Sequence, residues 1–401
     1  MPTELLALEE AQARLLALAG RTPVEHVPLA LAASRWLADA VAARLTQPPA
    51  DVSAMDGYAL RLADLPGPLR LVGQAAAGRP FAGTLAPGEA VRIFTGAHVP
   101  EGADTVAVQE EMEADGPWVR LAGEGPGGQG ANIRAMGQDF RVGDPLLAAG
   151  TRLGPTALGL AAAAGHAALP VHRAPRVALL ATGDELVPPG ASPPPGSIVS
   201  SNGPMLAALV AAAGGEVIEE AILPDDQPLL EEAFAASAAR ADILVTIGGA
   251  SVGDHDLVRP ALVARGATID FWRIAIRPGK PLLAGRLGET VVLGLPGNPV
   301  SAFVCAFLFL LPLLRAMAGD RAPLPEPETA LAGEPLPANG PRRHFLRGRL
   351  SRDATGQLLA TADARQDSSL LSVLARAECL IVRTENAAPL PAGSPVPILR
   401  L

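Results

Sequence analysis

Residues 242–256, DILVTIGGASVGDHD, decide the fold. After Asp242, Ile243 to Ile247 form a largely apolar run rich in β-branched residues and of strand length, and glycines at 248, 249 and 253 follow it. In open α/β sheets, ligands bind outside the carboxyl ends of strands, so the turn after this run is a candidate site. Backbone N–H groups of Gly248 and Gly249 can cradle a phosphate, Ser251 can add a hydroxyl, and Asp254 and Asp256 can hold Mg²⁺. An ordinary glycine-rich turn with solvated acids accounts for the same residues equally well. The segment does not match the GxxxxGK[ST] phosphate-binding pattern.

On both sides of this stretch, strands alternate with helices. VALLAT (177–182), EVIEEAIL (216–223) and TVVLGL (290–295) read as strands. Helices are predicted from Pro204 to Ala213, over 228–239 and over 256–264. This is the pattern of an α/β domain with a parallel sheet. Ser201-Asn202 before Pro204, and Asn298 before Pro299, supply helix-start residues, and a long helix runs from Val300 to near Gly319.

Further out the pattern changes. Residues 3–45 read as helices, ended at Gln47-Pro48-Pro49, and 51–147 read as a β-rich unit of short apolar runs between Gly and Pro. Residues 151–170 return to an Ala-rich helix. From Ala322 a Pro-rich linker leads to a last unit whose runs HFLRGRL, QLLATA and CLIVRT favour a small β-barrel.

Composition narrows the function classes. A chain of 401 residues implies two to four units at roughly 100–200 residues each. Cys305 and Cys379 lie far apart with no His or Cys at ligand spacing, which excludes a disulfide framework, argues against a thiolate metal site and fits a reducing cytoplasm. The N-terminal MPTELLALEEAQARLLALAG is an amphipathic helix with no basic region ahead of it, unlike a signal peptide. Val300–Leu314, the longest apolar stretch, is shorter than the roughly 18 residues of a membrane span and contains Pro312. A net charge of −9 disfavours nucleic acid but leaves room for a local anion pocket.

The 32 basic residues comprise 31 Arg and one Lys, Lys280. Either chance or a need for a compact, strongly hydrated ammonium spared that position. Tyr58, the single Tyr, is similarly isolated within SAMDGYA.

Four strand ends carry chemistry-bearing residues: TGDEL (182–186), LPDDQ (223–227), the 247–256 turn and LPGNPVS (295–301). In the last, Pro296, Gly297, Asn298, Pro299 and Ser301 open a helix, whose free N–H groups and dipole favour an anion. Capping alone explains that turn as well. FWRIAIRPGKP (271–281) gathers Arg273, Arg277 and Lys280 beside a Pro278-Gly279 turn, suited to an oxyanion or pyrophosphate, or else a solvated hairpin. Asp56, Thr95, Asp139 and Glu185 occupy Gly-adjacent turns, where carboxylates ligate a hard metal, orient water or simply close the turn. The six histidines show no ligand spacing, so His166, His172 and His344 read as structural or surface residues.

Together these segments resemble the molybdopterin molybdenumtransferase family of the MoeA and gephyrin E-domain type. SAMDGYA (53–59), RIFTGAHVPEGADTVAVQEE (92–111), GANIRAMGQDFRVGD (130–144), ATGDEL (181–186), SSN (200–202), GGASVGDHD (248–256), RPGKP (277–281) and GLPGNPVS (294–301) stand in the family's order. QDSSLLSVLARAECLIV, from Gln366, is similar to its last domain.

The resemblance implies an elongated homodimer of four-domain subunits. Residues 1–45 and 148–173 form a helical linking region, 46–147 a β-rich inserted domain, 174–321 a MogA-like molybdopterin-binding α/β domain, and 322–401 a C-terminal β-barrel. It implies an Mg²⁺-dependent enzyme that takes adenylylated molybdopterin and molybdate, releases AMP and leaves molybdenum on the dithiolene.

Carried over position by position, the catalytic set is Asp56, Thr95, Asp139, Glu185, Asp225, Asp256 and Lys280. Asp56, Glu185, Asp254 and Asp256 are implied for metal. Gly248, Gly249, Ser251, Arg273, Arg277, Pro296, Gly297, Asn298, Pro299, Ser301, Arg347 and Ser369 are implied for substrate. Gln138, Ile247 and Ala250 depart from common family residues, and Arg273 and Arg277 stand where many relatives have lysine.

A site shared across the dimer follows, with contacts to other molybdenum-cofactor enzymes and none to nucleic acid or membrane. Two rivals stand beside this reading. An adenylyltransferase with the same α/β domain would carry neither SAMDGYA nor the last domain, and a pure scaffold would not need the acid set.

Overall fold

The DILVTI run folds as the strand Ile243–Ile247, buried at every residue, in the middle of a six-stranded sheet. The sheet order is Glu216–Leu223, Arg176–Thr182, Ile243–Ile247, Thr290–Leu295, Pro281–Leu287, Thr268–Arg273. The first four strands are parallel, in a register that sets Leu180 beside Thr246 and Thr246 beside Gly294. The last two are antiparallel additions. Part of the segment read as a cation-bearing turn is therefore strand. Register shifts either side of Phe271 break its alternation, and an edge position tolerates that irregularity.

The computed structural model describes residues 5–249 and 257–401. They divide into one unit of Met1–Glu25, Ser34–Ala38 and Pro170–Leu401, and another of His26–Ala33 and Asp39–Leu169.

In the first unit helices cover both sheet faces. Asn202–Ala212, Leu8–Leu18 and Pro299–Met317 share one apolar cluster with Val177, Val245 and Leu293, while Gln227–Ala238 and Val258–Ala264 pack on Ala178, Leu180 and Leu244. Leu8, Ala11, Gln12 and Leu15 form the buried stripe of the first helix, at the spacing that period 3.6 requires.

Gln12 has a specific partner there. Pro312 has no N–H to give the carbonyl four residues back, at Leu308, and Gln12 Nε2 donates to that oxygen at 2.9 Å. A π turn, Ala306–Leu310, lies at the same place. The whole 19-residue helix is long and apolar enough to cross a membrane, but 78% of its 18-residue apolar window is buried inside the protein, as a core helix should be.

The helical reading of residues 3–45 needs correction. After Leu18 the chain forms the strand Val24–Pro28, a short 3-10 turn at Leu29–Leu31 and the strand Val41–Ala42. Pro23 and Pro28 withhold helical N–H groups, and Val24 and Val27 favour extended backbone. The Ala-rich helix likewise shortens to Pro155–Ala163, because Gly165 at φ +90° ends it before the strand Ala168–His172.

The C-terminal residues close a five-stranded barrel. Arg343–Arg352 pairs with Leu358–Ala362 on one side and Cys379–Arg383 on the other, and Glu328–Ala332 and Pro395–Arg400 complete the ring. The barrel is tied to the α/β layer by the parallel pairing of Ile276–Arg277 with Arg343–His344, and by Val300 N–H donating to Ser368 O at 3.1 Å.

The second unit centres on a six-stranded sheet in the order Thr105–Val108, Gly57–Leu60, Glu89–Ile93, Leu69–Ala75, Trp118–Leu121, Met112–Asp115. Only Glu89–Ile93 and Leu69–Ala75 run parallel. Alternating residues feed two apolar clusters, one around Ala59, Val91 and Ile93, the other around Leu60, Ala90 and Ala107.

Candidate active site at the sheet switch point

Strand order reverses between Arg176–Thr182 and Ile243–Ile247, and a cavity of about 460 Å³ opens at their carboxyl ends. Two glycine turns form its floor. Gly248 stands at φ +94°, and a Cβ there would lie 2.8 Å from Thr182 O; Gly249 stands at φ +56°, with Val258 Cγ2 at 2.4 Å from the added atom. Neither position admits another residue without displacement. At Gly297, in contrast, the nearest atom to an added Cβ is Gly248 Cα at 3.7 Å, so the backbone is open to a ligand.

Of the residues read from sequence, Glu185, Asp225, Gly248, Gly249 and the run Pro296–Pro299 line this cavity. Asp225 and its neighbour divide the work of the LPDDQ turn. Asp226 caps the Gln227–Ala238 helix by accepting from Leu229 N–H at 3.1 Å, while Asp225 N–H donates to Asp184 Oδ1 at 3.0 Å.

The helix-start residues behave differently from simple caps. Asn298 occupies the cap position, but its Nδ2 donates to Ser368 Oγ at 3.2 Å. Asn202 is the first helical residue, and its Nδ2 donates to Gly297 O at 2.7 Å, which fixes the anion-suited turn from below. Asn202 was legible only as a helix-start residue, because its partner is 95 positions away. Thr182 also lines the cavity; it is 6% exposed, and its Oγ1 has no hydrogen-bond partner.

The cations separate. Arg273 Cζ stacks 4.9 Å from the Trp272 ring centroid and lies outside the cavity lining. Lys280 is exposed, directly before the lining residue Pro281, and its ammonium has no hydrogen bond or ion pair among the described residues. Arg277 lines a second cavity of about 340 Å³ at the barrel mouth, with His344, Gln366 and Arg383. Burial, then Arg277, Arg347 and Arg342, depress His344 to a pKa of about 4. Its ring is therefore neutral at pH 7.

Arg347 is 0% exposed, and its Nε and Nη1 have no partner. Only Nη2 is engaged, at 3.2 Å from Asp367 O. Burial pushes its pKa down. Ser369 Oγ donates to Asp367 Oδ1 at 2.5 Å on the same segment. Ser301 is buried within its helix and does not line the cavity.

Asp56, Thr95 and Asp139 belong to the second unit. Asp56 Oδ1 accepts from Thr95 N–H and Oγ1–H, both at 2.8 Å, and these bonds hold the carboxyl below the usual range. Asp139 lines a cavity of about 580 Å³ with His98, Arg134 and Gln138.

Ala250, Ser251, Asp254 and Asp256 lie outside the described residues. Among the described residues no cluster of three or more His, Cys, Asp or Glu stands close enough to hold a metal alone.

Comparison with known proteins covers nearly the whole chain. Residues 6–165 match the model of the MoeA N-terminal region (domain I and II), 178–316 that of a probable molybdopterin binding domain, and 329–401 that of the MoeA C-terminal region (domain IV). A molybdopterin molybdenumtransferase of Haemophilus influenzae is 36% identical over 398 residues, 98% of each chain. One from Synechococcus elongatus is 37% identical over 417 aligned positions, 99% of this chain and 98% of its own. Two crystal structures of a molybdopterin biosynthesis MoeA protein from Pyrococcus horikoshii superpose with TM-scores of 0.84 and 0.83 at 29% and 26% identity. Each match spans 99% of this chain and 99% or 100% of its own.

Proposed function

The chain belongs to the MoeA family of molybdopterin molybdenumtransferases, enzymes of molybdenum-cofactor biosynthesis, and on that premise we propose that it releases AMP from adenylylated molybdopterin as molybdate is inserted. The cavity at the switch point carries this reading. Two carboxylates, Glu185 and Asp225, face two glycine turns and a helix N-terminus across one opening. The N–H groups of Gly297 and Asn298 suit the phosphates of an anionic substrate.

The donor set fits Mg²⁺. The cavity's carboxylates offer hard oxygen, with no thiol or imidazole among the described lining residues. Magnesium is commonly held by one or two carboxylates together with substrate phosphates, so Glu185 and Asp225 suffice without a closed protein cage. When bound, the ion polarises a phosphoryl oxygen as a Lewis acid. In the chemical step an oxygen nucleophile attacks phosphorus, one P–O bond forms, the anhydride P–O bond breaks, and AMP carries away the electron pair. The Gly248 and Gly297 turns orient the phosphates. Lys280, Arg277 and the buried Arg347 supply cationic donors for the molybdate dianion.

Asp56, Thr95 and Asp139 are assigned to the same reaction through a homodimer, in which this unit of one subunit completes the cavity of its partner. What supports the assignment is the fixed, ionised Asp56 carboxylate on a unit separate from the Glu185 cavity. Mixed dimers of Asp56→Ala and Lys280→Ala subunits test it. Recovered activity is expected, and none in any mixture argues against sharing. The two buried free thiols suit a cytoplasmic setting, where other cofactor enzymes pass and accept the pterin.

The direct test supplies adenylylated molybdopterin, Mg²⁺ and molybdate and follows AMP. Molybdate-dependent release is expected; release indifferent to molybdate, or none, sinks the reading.

A further inference from the structure

Three sequence-distant stretches of the second unit, SAMDGYA, RIFTGA and VAVQEE, converge on one guanidinium. Tyr58 and Arg92 are directly opposed on adjacent antiparallel strands, and Phe94 lies two residues beyond Arg92, which puts all three on one face. Arg92 Cζ stands 5.0 Å from the Tyr58 ring centroid and 4.9 Å from that of Phe94. The guanidinium thus lies over both rings while its nitrogens remain free to donate. Nη1 donates to Gly57 O at 2.8 Å, and Nη2 donates to Gln109 Oε1.

Gln109 then closes the network, because its backbone N–H donates to Asp56 O at 3.1 Å. The Gly57 carbonyl is therefore pinned by the Arg92 side chain, and the Asp56 carbonyl by the backbone of Gln109, whose side chain Arg92 also holds. Gly57 itself has no freedom to compensate: a Cβ there would lie 1.9 Å from Ala107 O. The carboxylate is held from a third direction, since Thr95, in the turn just past the Arg92 strand, donates to Asp56 Oδ1 with both its N–H and its hydroxyl. Asp56 Oδ2 is left without a partner among the described residues.

We propose that Arg92 is a positioning residue, which, held against the Tyr58 and Phe94 rings, fixes the backbone at Asp56 so that Oδ2 is presented to the reacting groups. This rests on the reading that Asp56 acts in the transferase reaction. The arrangement needs Arg rather than Lys. A planar fork can stack on two rings while donating in two directions, and an ammonium cannot do both. It also gives the chain's single Tyr a task that depends on its ring face.

The test uses full-length dimer and three measurements: steady-state AMP release, thermal melting, and carbon-13 NMR titration of the Asp56 carboxyl. Arg92→Lys is expected to lower kcat roughly 10- to 100-fold, the scale of an ångström-level misplacement, with KM for molybdate and the melting midpoint nearly unchanged. In the same variant the Asp56 titration should move up toward an ordinary carboxylate, as the Thr95 bonds loosen. Tyr58→Phe, which keeps the ring face, should lie closer to wild type than Tyr58→Leu.

Wild-type kcat in Arg92→Lys beside a dead Asp56→Asn overturns the proposal, and so does an unmoved Asp56 titration in a folded Arg92→Lys. A fully active Asp56→Asn instead fails the reading of Asp56, and the proposal with it.

Discussion

Gly279 and Cys305 occupy each other's space. Cys305 Sγ donates to Gly279 O at 3.6 Å, and a Cβ built on Gly279, at φ +108°, would stand 2.4 Å from that sulfur. The contact ties the RPGKP turn to the helix whose N-terminus lines the cavity, so one buried helix sets the spacing of both segments. Burial also raises the thiol's pKa, so Cys305 packs as a neutral side chain. Gly279→Ala is expected to cost about 2–4 kcal/mol through strained backbone and overpacking. Urea unfolding measures it. In Gly279→Ala/Cys305→Ala the clash is removed, and part of the loss should return; strict additivity would show that the two residues do not interact.

Lys280 follows that glycine, exposed and without a partner among the described residues. Lys280→Arg should therefore leave the melting midpoint within about 1 °C, since exposed substitutions seldom change stability much. AMP release should nonetheless fall at least tenfold, because a planar fork cannot replace a compact ammonium at a small dianion. Turnover at the wild-type rate would reduce the solitary lysine to coincidence.

Arg347 presents the opposite balance of stability and function. A 0%-exposed guanidinium with Nε and Nη1 unpartnered costs stability that the single Nη2 bond and the nearby Asp363 and Asp367 carboxylates offset only in part. Arg347→Met keeps most of the volume and removes the buried charge, so thermal stability should hold or rise by about 1–3 kcal/mol. Molybdate binding, measured by equilibrium dialysis, should weaken tenfold or more. A destabilised Arg347→Met with intact molybdate affinity would make the residue structural.

The parallel core was legible because its inner strands are short, largely apolar runs with Gly or Pro directly after them, and Ile243–Ile247 and Thr290–Leu295 fall within a residue of the predicted runs. The cavity's backbone was legible for the same reason: a strand end fixes where its turn lies. Side-chain partners were not. Nothing in SSN shows that Asn202 reaches Gly297, and nothing around His344 shows that Arg277 pairs beside it, since both depend on long-range register. The early segment failed on different grounds. Leucine spacing up to Leu18 marks a helix, but beyond it Pro23, Pro28 and the valines between them decide for strand.

His344 allows a test in which the sign is fixed by physics. Its folded pKa, about 4, lies below the ordinary 6.5, because the ring is buried and faces Arg277, Arg347 and Arg342. The other groups lining its cavity are Glu334, Asp363 and Arg383. Between pH 6.5 and 4 the unfolded chain therefore binds a proton that the folded chain refuses. The stabilising contribution is complete above pH 6.5 and is lost as pH falls toward 4. Discounted for the ring's remaining solvent contact, the loss is about 1–2 kcal/mol. His344→Gln should flatten that part of the acid limb of a stability–pH curve, leaving the carboxylate-driven fall below pH 4 in place. Proton NMR of the ring C2–H gives the midpoint directly. An oxyanion held between Arg277 and Arg347 offsets two of the charges that depress it, so saturating molybdate should move the midpoint up. A midpoint near 6.5 without molybdate would deny the cationic crowding, and one unmoved by molybdate would place the dianion elsewhere.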